Sequence, residues 1–236
     1  HQELGKVLLD VELKEDLTCT VMVHFATVLS TITVFFSEIK AITRGLFEFR
    51  WNDSTKYVAK ILFSMIPVLI VGLFFKEEVE SFFSGNLMLV GIALLVTSLL
   101  LGSTHLVKAG TKWLPFGDAF LMGIAQAVAV IPGISRSGAT ISTGLLLKNG
   151  RAEVARFSFL MVLLPIIGAA GVDLMSMHST TEPSGIPFLS LITGFLAAYF
   201  SGFLACRWMI LLVQKGNLYW FAIYCAVIGT VSILFA

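Results

Sequence analysis

Charge is scarce in this sequence. Asp, Glu, Lys and Arg together make up 13% of its 236 residues, about half the share of a typical soluble domain, which excludes an ordinary water-soluble fold. Cysteine is scarce as well. Cys19, Cys206 and Cys225 stand in apolar stretches without C-x-x-C spacing, the pattern of small buried hydrophobes rather than of disulfides or a thiolate metal site. The formal net charge is +1 and no basic block occurs, so nothing marks a nucleic-acid partner. Catalytic signatures are missing too: there is no G-x-S-x-G elbow, no H-E-x-x-H pair and no P-loop. No carboxylate pair falls within an apolar segment, so these residues supply neither an evident metal site nor an evident general base.

Apolar surface, by contrast, is abundant, at 57% of residues with a mean hydropathy of +0.91. The fold class this implies is an all-α polytopic membrane protein. Crossing a bilayer as a helix takes about 20 mostly apolar residues, and six segments qualify: residues 17–36, 58–75, 87–104, 157–175, 186–206 and 218–235. A short piece at 2–11 is helical in pattern but far too short to span.

The region 118–148 breaks the pattern. Its 31 residues are too few for two spanning helices, and Pro132 and Gly133 interrupt it at the centre, where a continuous helix would lose a hydrogen bond and clash. Arms at 118–131 and 138–147 each reach about halfway across at about 1.5 Å per residue. A re-entrant hairpin with its tip near mid-membrane is predicted, a place where irregular backbone survives only inside protein or beside a polar cavity.

Loop charges give the same topology. Lys40, Arg44, Arg50 and Lys56 lie between the first two spans, whereas the next loop sets one lysine against Glu77, Glu78 and Glu80. Lys108 and Lys112 precede the hairpin; Lys148, Arg151 and Arg156 follow it. The stretch 177–185 has no Lys or Arg, and Arg207 and Lys215 sit in the last loop. Basic and non-basic loops alternate only if the hairpin returns to its side of entry, which places the basic loops in the cytoplasm and the C-terminus outside.

A weak repeat is also visible. Residues 2–9 followed by 16–36 read like 140–147 followed by 154–175, each a short helix, a charged joint and a span. The whole chain, 1–236, is then a single transmembrane domain, with repeat one in about 1–115 and repeat two in about 116–236. Three spans each would invert the two halves, an arrangement known among transporters. Gly168, Ala169, Ala170 and Gly171 in the fourth span, and Gly194, Ala198, Ser201, Gly202 and Ala205 in the fifth, suggest close helix packing. Pro67 and Pro165 read as kinks.

The chemistry concentrates in the turn Pro132-Gly133-Ile134-Ser135-Arg136-Ser137-Gly138-Ala139-Thr140. A charged side chain at membrane depth is costly and marks a functional site by default. A guanidinium grips a phosphate with two parallel bonds, and Ser135, Ser137 and Thr140 add hydroxyls. The N–H groups of Gly138, Ala139 and Thr140, at the start of the second arm, are expected to meet the same anion. Gln126 lies on the first arm, where an unpaired amide is expensive; it is a candidate phosphate contact or glue between helices. His24 and His105 have no partner at metal-ligand spacing and read as structural.

The run QAVAVIPGISRSGATIS that begins at Gln126 resembles the second signature of the undecaprenyl-diphosphate phosphatase, or bacitracin-resistance, family. SMIPVLIVGLFF from Ser64, FSFLMVLLPIIGA from Phe157 and FAIY from Phe221 are similar to that family's second, fourth and last spans, so the resemblance covers the chain. Pro165 stands one position away from the usual pattern, and Cys225 occupies a place where an arginine often follows FAIY. Of the family's first signature, a glutamate pair followed by serines and Gly-His, the chain carries only the last residue, as His1. It begins without Met or a charged leader and is read as having lost its N-terminus.

The resemblance implies six spans with two re-entrant hairpins in inverted repeat, in a multi-pass inner-membrane protein. The implied activity is hydrolysis of undecaprenyl diphosphate to undecaprenyl phosphate on the periplasmic face, recycling the carrier for peptidoglycan. His1, Arg136 and Ser135 would then be catalytic, with Ser137, Gly138, Ala139, Thr140 and Gln126 on the phosphates. A divalent cation, Mg²⁺ or Ca²⁺, would sit on glutamates upstream of His1 and on none of the residues present. The expected partners are the polyprenyl diphosphate lipid, the bilayer and, at most, a second copy in a homodimer. A transporter or flippase for a phosphorylated polyprenyl lipid is the rival reading, since an inverted repeat would suit it equally.

Overall fold

The computed structural model describes residues 17–75, 87–107, 110–179 and 188–234. Among these residues the fold is helical throughout. Nine α-helices follow one another: α1 (Leu17–Val34), α2 (Phe36–Leu46), α3 (Asp53–Phe74), α4 (Leu87–Ser103), α5 (Phe116–Val128), α6 (Arg136–Leu146), α7 (Arg151–Ser179), α8 (Phe188–Lys215) and α9 (Tyr219–Leu234). A 3₁₀ turn, Thr104–Leu106, extends α4.

Each of the six expected spans has a helix. Three helices are long and apolar enough to cross a membrane, Asp53–Phe74, Met88–Leu106 and Leu189–Lys215. A fourth candidate is the pair Val21–Val34 and Phe36–Leu46, bent by 76°. The expected fourth span lies within α7, and α9 has 16 residues. Pro67 and Pro165 stand inside helices. Residues 2–9, the first member of the expected repeat, lie outside the described residues.

The chain divides into two compact units. Within the described residues the first takes Tyr57–Phe159 and 212–234, and the second takes 17–56 and Leu160–Leu211.

In the first unit α4 packs on α9 at a glycine crossing. A Cβ on Gly91 would stand 2.9 Å from the carbonyl oxygen of Gly229, so the helices approach backbone to backbone, as small residues permit. Ser98 Oγ donates to the Ala222 carbonyl at 2.7 Å along the same seam. Gly123 brings α5 against the Ser64 carbonyl of α3, where the rings of Phe63 and Phe120 stack at 4.9 Å.

The hairpin is α5 and α6, and its two feet are tied together. Gly110 pairs with Gly150 and Lys112 with Asn149 as parallel bridges, and the Gly150 N–H donates to the Lys112 carbonyl at 3.1 Å. Asp118 Oδ2 accepts from Lys112 Nζ at 2.9 Å and from Asn149 Nδ2 at 2.8 Å. Entry and exit therefore lie at one level, and 118–148 forms a hairpin whose ends meet, as its length and central break predicted.

The second unit holds α1 against α8. Tyr199 Oη donates to Thr33 Oγ1 at 3.1 Å, and Phe25 meets Phe195 at 6.4 Å between centroids. Of the described glycines expected to allow close packing, only Gly202 does so, with Ser30 Oγ 2.7 Å from where its Cβ would be; Gly168, Gly171 and Gly194 face open space among the described residues.

Candidate functional site

The tip is built on α4. Gly133 has φ +94, and a Cβ there would lie 2.7 Å from Ala93 Cβ and 2.8 Å from the Val90 carbonyl oxygen. Only glycine satisfies both the left-handed backbone and that approach. Thr97, completely buried, donates through Oγ1 to the Ala93 carbonyl at 3.0 Å and accepts the Ser135 N–H at 3.2 Å. Thr97 lies about 15 Å along α4 from Leu87 and about 9 Å from its other end at about 1.5 Å per residue, so the tip rests against the middle of a spanning helix.

The first arm ends earlier than expected. α5 stops at Val128 rather than Ile131, and the chain tightens into i→i+3 turns, Val130 N–H to Ala127 O and Ile131 N–H to Val128 O, both 3.3 Å. The residue before a proline is disfavoured in helical conformation, and Pro132 enforces this stop.

The second arm begins earlier than expected. Ser135 is the N-cap, with φ −71 and ψ 115, and its hydroxyl accepts the Gly138 N–H at 3.1 Å. The first intrahelical bond runs from the Ala139 N–H to the Ser135 carbonyl at 2.8 Å. The N–H groups of Gly138 and Ala139, expected to be open to an anion, are therefore taken. Those of Arg136 and Ser137 are the open ones, because a capping serine starts the helix two residues sooner.

Arg136 occupies the first helical position and is exposed, and its guanidinium makes no hydrogen bond or ion pair among the described residues. Ser137 beside it is half-buried, and Gly138, Ala139 and Thr140 are buried. The Thr140 hydroxyl is engaged: it lies 2.6 Å from Ser158 Oγ on α7 and 2.9 Å from the Arg136 carbonyl oxygen. It faces the neighbouring helix and not the open side of the turn. Gln126 is 1% exposed, and its Oε1 has no hydrogen-bond partner among the described residues. The site residue His1 lies outside the described residues.

The structure thus brings Ser135, Arg136 and Ser137 together at the head of one helix, buries Gln126 on the first arm, and turns Thr140 inward. Sequence reasoning passed over Thr97 and Ser158, the two hydroxyls that hold the turn from outside it. Beside the tip lies an apolar groove of about 400 Å³ lined by Met88, Ile92, Ala93, Val96, Ile131 and Ile134. Among the described residues no three His, Cys, Asp or Glu side chains form a metal-sized group. Asp118, the one carboxylate on the hairpin arms, is committed to Lys112 and Asn149 at the feet. The described residues alone thus offer no donor set that fits a divalent cation.

His105 lies beside the Tyr219 ring at 6.1 Å. Cys206 and Cys225 are buried free thiols.

Taken together, these features define an all-helical membrane protein with a helical hairpin whose tip is a polar turn. Comparison with known proteins narrows the class to one family. The chain belongs to the family described as bacitracin resistance protein BacA, whose model matches residues 1–231. It is similar to an undecaprenyl-diphosphatase of Bacteroides fragilis, 51% identical over 236 residues that cover 99% of this chain and 89% of that protein. The undecaprenyl-diphosphatase of Parabacteroides distasonis is 52% identical over 235 residues, covering 99% and 88%. That of Christiangramia forsetii is 49% identical over 241 residues, covering 100% and 89%.

Proposed function

We propose that this chain is an undecaprenyl-diphosphatase: water attacks the terminal phosphorus of undecaprenyl diphosphate, the phosphoanhydride breaks, and undecaprenyl phosphate and inorganic phosphate leave. Family membership supports the reading, and so does one observation above all: an unpaired guanidinium at the head of a helix, between two serines, beside an apolar groove. Hydrolysis regenerates the monophosphate carrier for cell-wall synthesis and removes the diphosphate lipid, in keeping with the family's link to bacitracin resistance.

The reaction needs positioning and charge neutralisation more than covalent chemistry by the protein. Arg136 would take two phosphate oxygens in a bidentate grip. The open N–H groups of Arg136 and Ser137 and the positive end of α6 add to it. The hydroxyls of Ser135 and Ser137 complete the cradle, Gln126 backs the wall, and Thr140, bonded to Ser158, fixes the pitch of α6 beneath Gly138 and Ala139. Aimed at the oxygens where charge develops, these donors stabilise the transition state more than the bound substrate. His1 would serve proton transfer. The groove lined by Ile131 and Ile134 would hold the first isoprene units of the lipid.

A divalent cation, Mg²⁺ or Ca²⁺, is proposed from the family likeness and would supply charge neutralisation for the diphosphate; its protein ligands would lie outside the described residues. The protein is proposed to reside in the bacterial inner membrane with its basic loops cytoplasmic, its site open to the periplasm and a homodimer as its oligomeric form.

Phosphate release from undecaprenyl diphosphate by the purified protein tests the proposal. Turnover that yields undecaprenyl phosphate is expected. Movement of labelled lipid across a vesicle without phosphate release would instead make it a transporter.

A further inference from the structure

The stretch after α1 is not a plain loop. α1 ends at Val34, the chain bends by 76°, and α2 runs off almost at right angles. Phe36, Ile39, Ile42 and Leu46 recur at helical spacing along one face of α2, and Ser37, Lys40 and Arg44 along another. A helix with such a division, set across the axis of a spanning helix, suits the plane of the membrane interface.

Two hollows flank it. One, of about 580 Å³, is bordered by Ser37, Lys40, Arg44 and Asn52 and also by the carboxylates of Glu48 and Asp53. The other, of about 630 Å³, is bordered by Phe47, Phe49, Arg50 and Trp51. The turn between α2 and α3 that separates them is firmly tied. Asn52 Nδ2 donates to the Gly45 carbonyl at 2.7 Å, Asn52 Oδ1 accepts the Thr55 N–H at 2.9 Å, and Thr55 Oγ1 donates to the Arg50 carbonyl at 2.8 Å. Despite this order its aromatic side chains are thrust outward, Phe47 73%, Phe49 91% and Trp51 66% exposed. Phe49 is held there at φ 47, a backbone conformation unusual for an aromatic residue.

The cations on the polar side lack acidic partners. Lys40 and Arg44 are exposed and make no ion pair among the described residues. Glu38 accepts from Ser37 at 2.7 Å, Glu48 accepts from Asn52 at 3.2 Å, and Asp53 pairs with Lys56 at 3.7 Å. Like charges four residues apart on a helix repel each other. An anion between them removes the repulsion.

We infer that residues 36–51 form an interfacial foot that binds anionic phospholipid of the host bilayer. Lys40 and Arg44 take the headgroup phosphate at the rim of the hollow that they border. Phe47, Phe49 and Trp51 seat at the boundary between headgroups and acyl chains, where aromatic side chains collect, and Arg50 reaches back to the phosphate level. Charge complementarity and direct continuity with the apolar α1 both point to lipid as the occupant.

Trp51 reports on the site. With Trp113→Phe, Trp208→Phe and Trp220→Phe, it is the single tryptophan of the chain. The protein is reconstituted in phosphatidylcholine bilayers containing a minor fraction of either brominated phosphatidylglycerol or brominated phosphatidylcholine. The brominated anionic lipid is expected to quench Trp51 with about fivefold or greater preference over the zwitterionic one, as one or two interfacial cations supply. The preference should fall to about one in Lys40→Gln/Arg44→Gln and persist in Lys40→Arg/Arg44→Lys, both still hydrolysing lipid diphosphate in detergent. Equal quenching by the two lipids, or none by either, overturns the proposal. So does abolition of the preference by millimolar inorganic phosphate, which would make the hollow a site for free anions.

Discussion

The Ser135 N–H donates to the hydroxyl oxygen of Thr97 at 3.2 Å, so the first residue of the proposed anion cradle is pinned to the middle of a different helix. The Thr97 proton is directed at Ala93 O, 3.0 Å away, which leaves an oxygen lone pair for the hairpin. Thr97→Val keeps the shape and removes the acceptor. A buried N–H left unpaired costs about 1–3 kcal/mol, and a tip displaced by that loss should lower kcat about tenfold or more with KM little changed. Thr97→Ser should restore it. Steady-state hydrolysis by the three proteins decides whether Thr97 positions the site.

Gly133 should tolerate no side chain. Its φ of +94 and the nearness of Ala93 and Val90 act together. Gly133→Ala is expected to destabilise the hairpin by about 1–3 kcal/mol or more through strain at a left-handed position, seen as a lower thermal midpoint in detergent and loss of turnover. Gly117→Ala, whose Cβ would meet nothing within 4 Å, is the control and should change neither.

Thr140 and Ser158 form a closed pair at 2.6 Å. Thr140→Val should cost about 1–3 kcal/mol by leaving the buried Ser158 hydroxyl unpaired, and Ser158→Ala should cost less, because Thr140 Oγ1 still donates to the Arg136 carbonyl. The double variant should cost less than their sum, with coupling of about 0.5–3 kcal/mol. Denaturation midpoints measure this. Additive losses would mean that the two hydroxyls act separately.

At the feet, Asp118 serves two donors but unequally. Asn149 is fully buried, whereas Lys112 is half-exposed. Asp118→Ala should therefore lower stability by about 1–3 kcal/mol through the lost Asn149 bond. Lys112→Ala should cost less than about 1 kcal/mol, as exposed ion pairs do. Thermal melts of the two variants compare them directly.

Much of the hairpin was legible in the sequence because its physics is local. Pro132 and Gly133 cannot continue a helix, and an arginine in an apolar setting announces a ligand. Two arms of about half a span leave re-entry as the only geometry. Thr97 was not legible: in LMLVGIALLVTSLLLGS a lone threonine reads as packing, and only the fold brings it to Ser135. The exact start of α6 was missed for a related reason. Ser135 was read as a phosphate contact, and its capping bond to Gly138, which moves the helix start to Arg136, depends on backbone angles that the residue names do not reveal. The foot at 36–51 was read only for its positive charges, although Phe36, Ile39, Ile42 and Leu46 already carried a helical period.

Turnover of undecaprenyl diphosphate by the Arg136→Lys variant, side by side with the parent, tests the central claim most directly. Lysine keeps the charge and loses the planar two-bond grip, so phosphate release should fall on the order of a hundredfold or more while the thermal midpoint holds, since the Arg136 guanidinium makes no hydrogen bond or ion pair among the described residues. Turnover within a few-fold of the parent would contradict the assignment of the diphosphate to this turn.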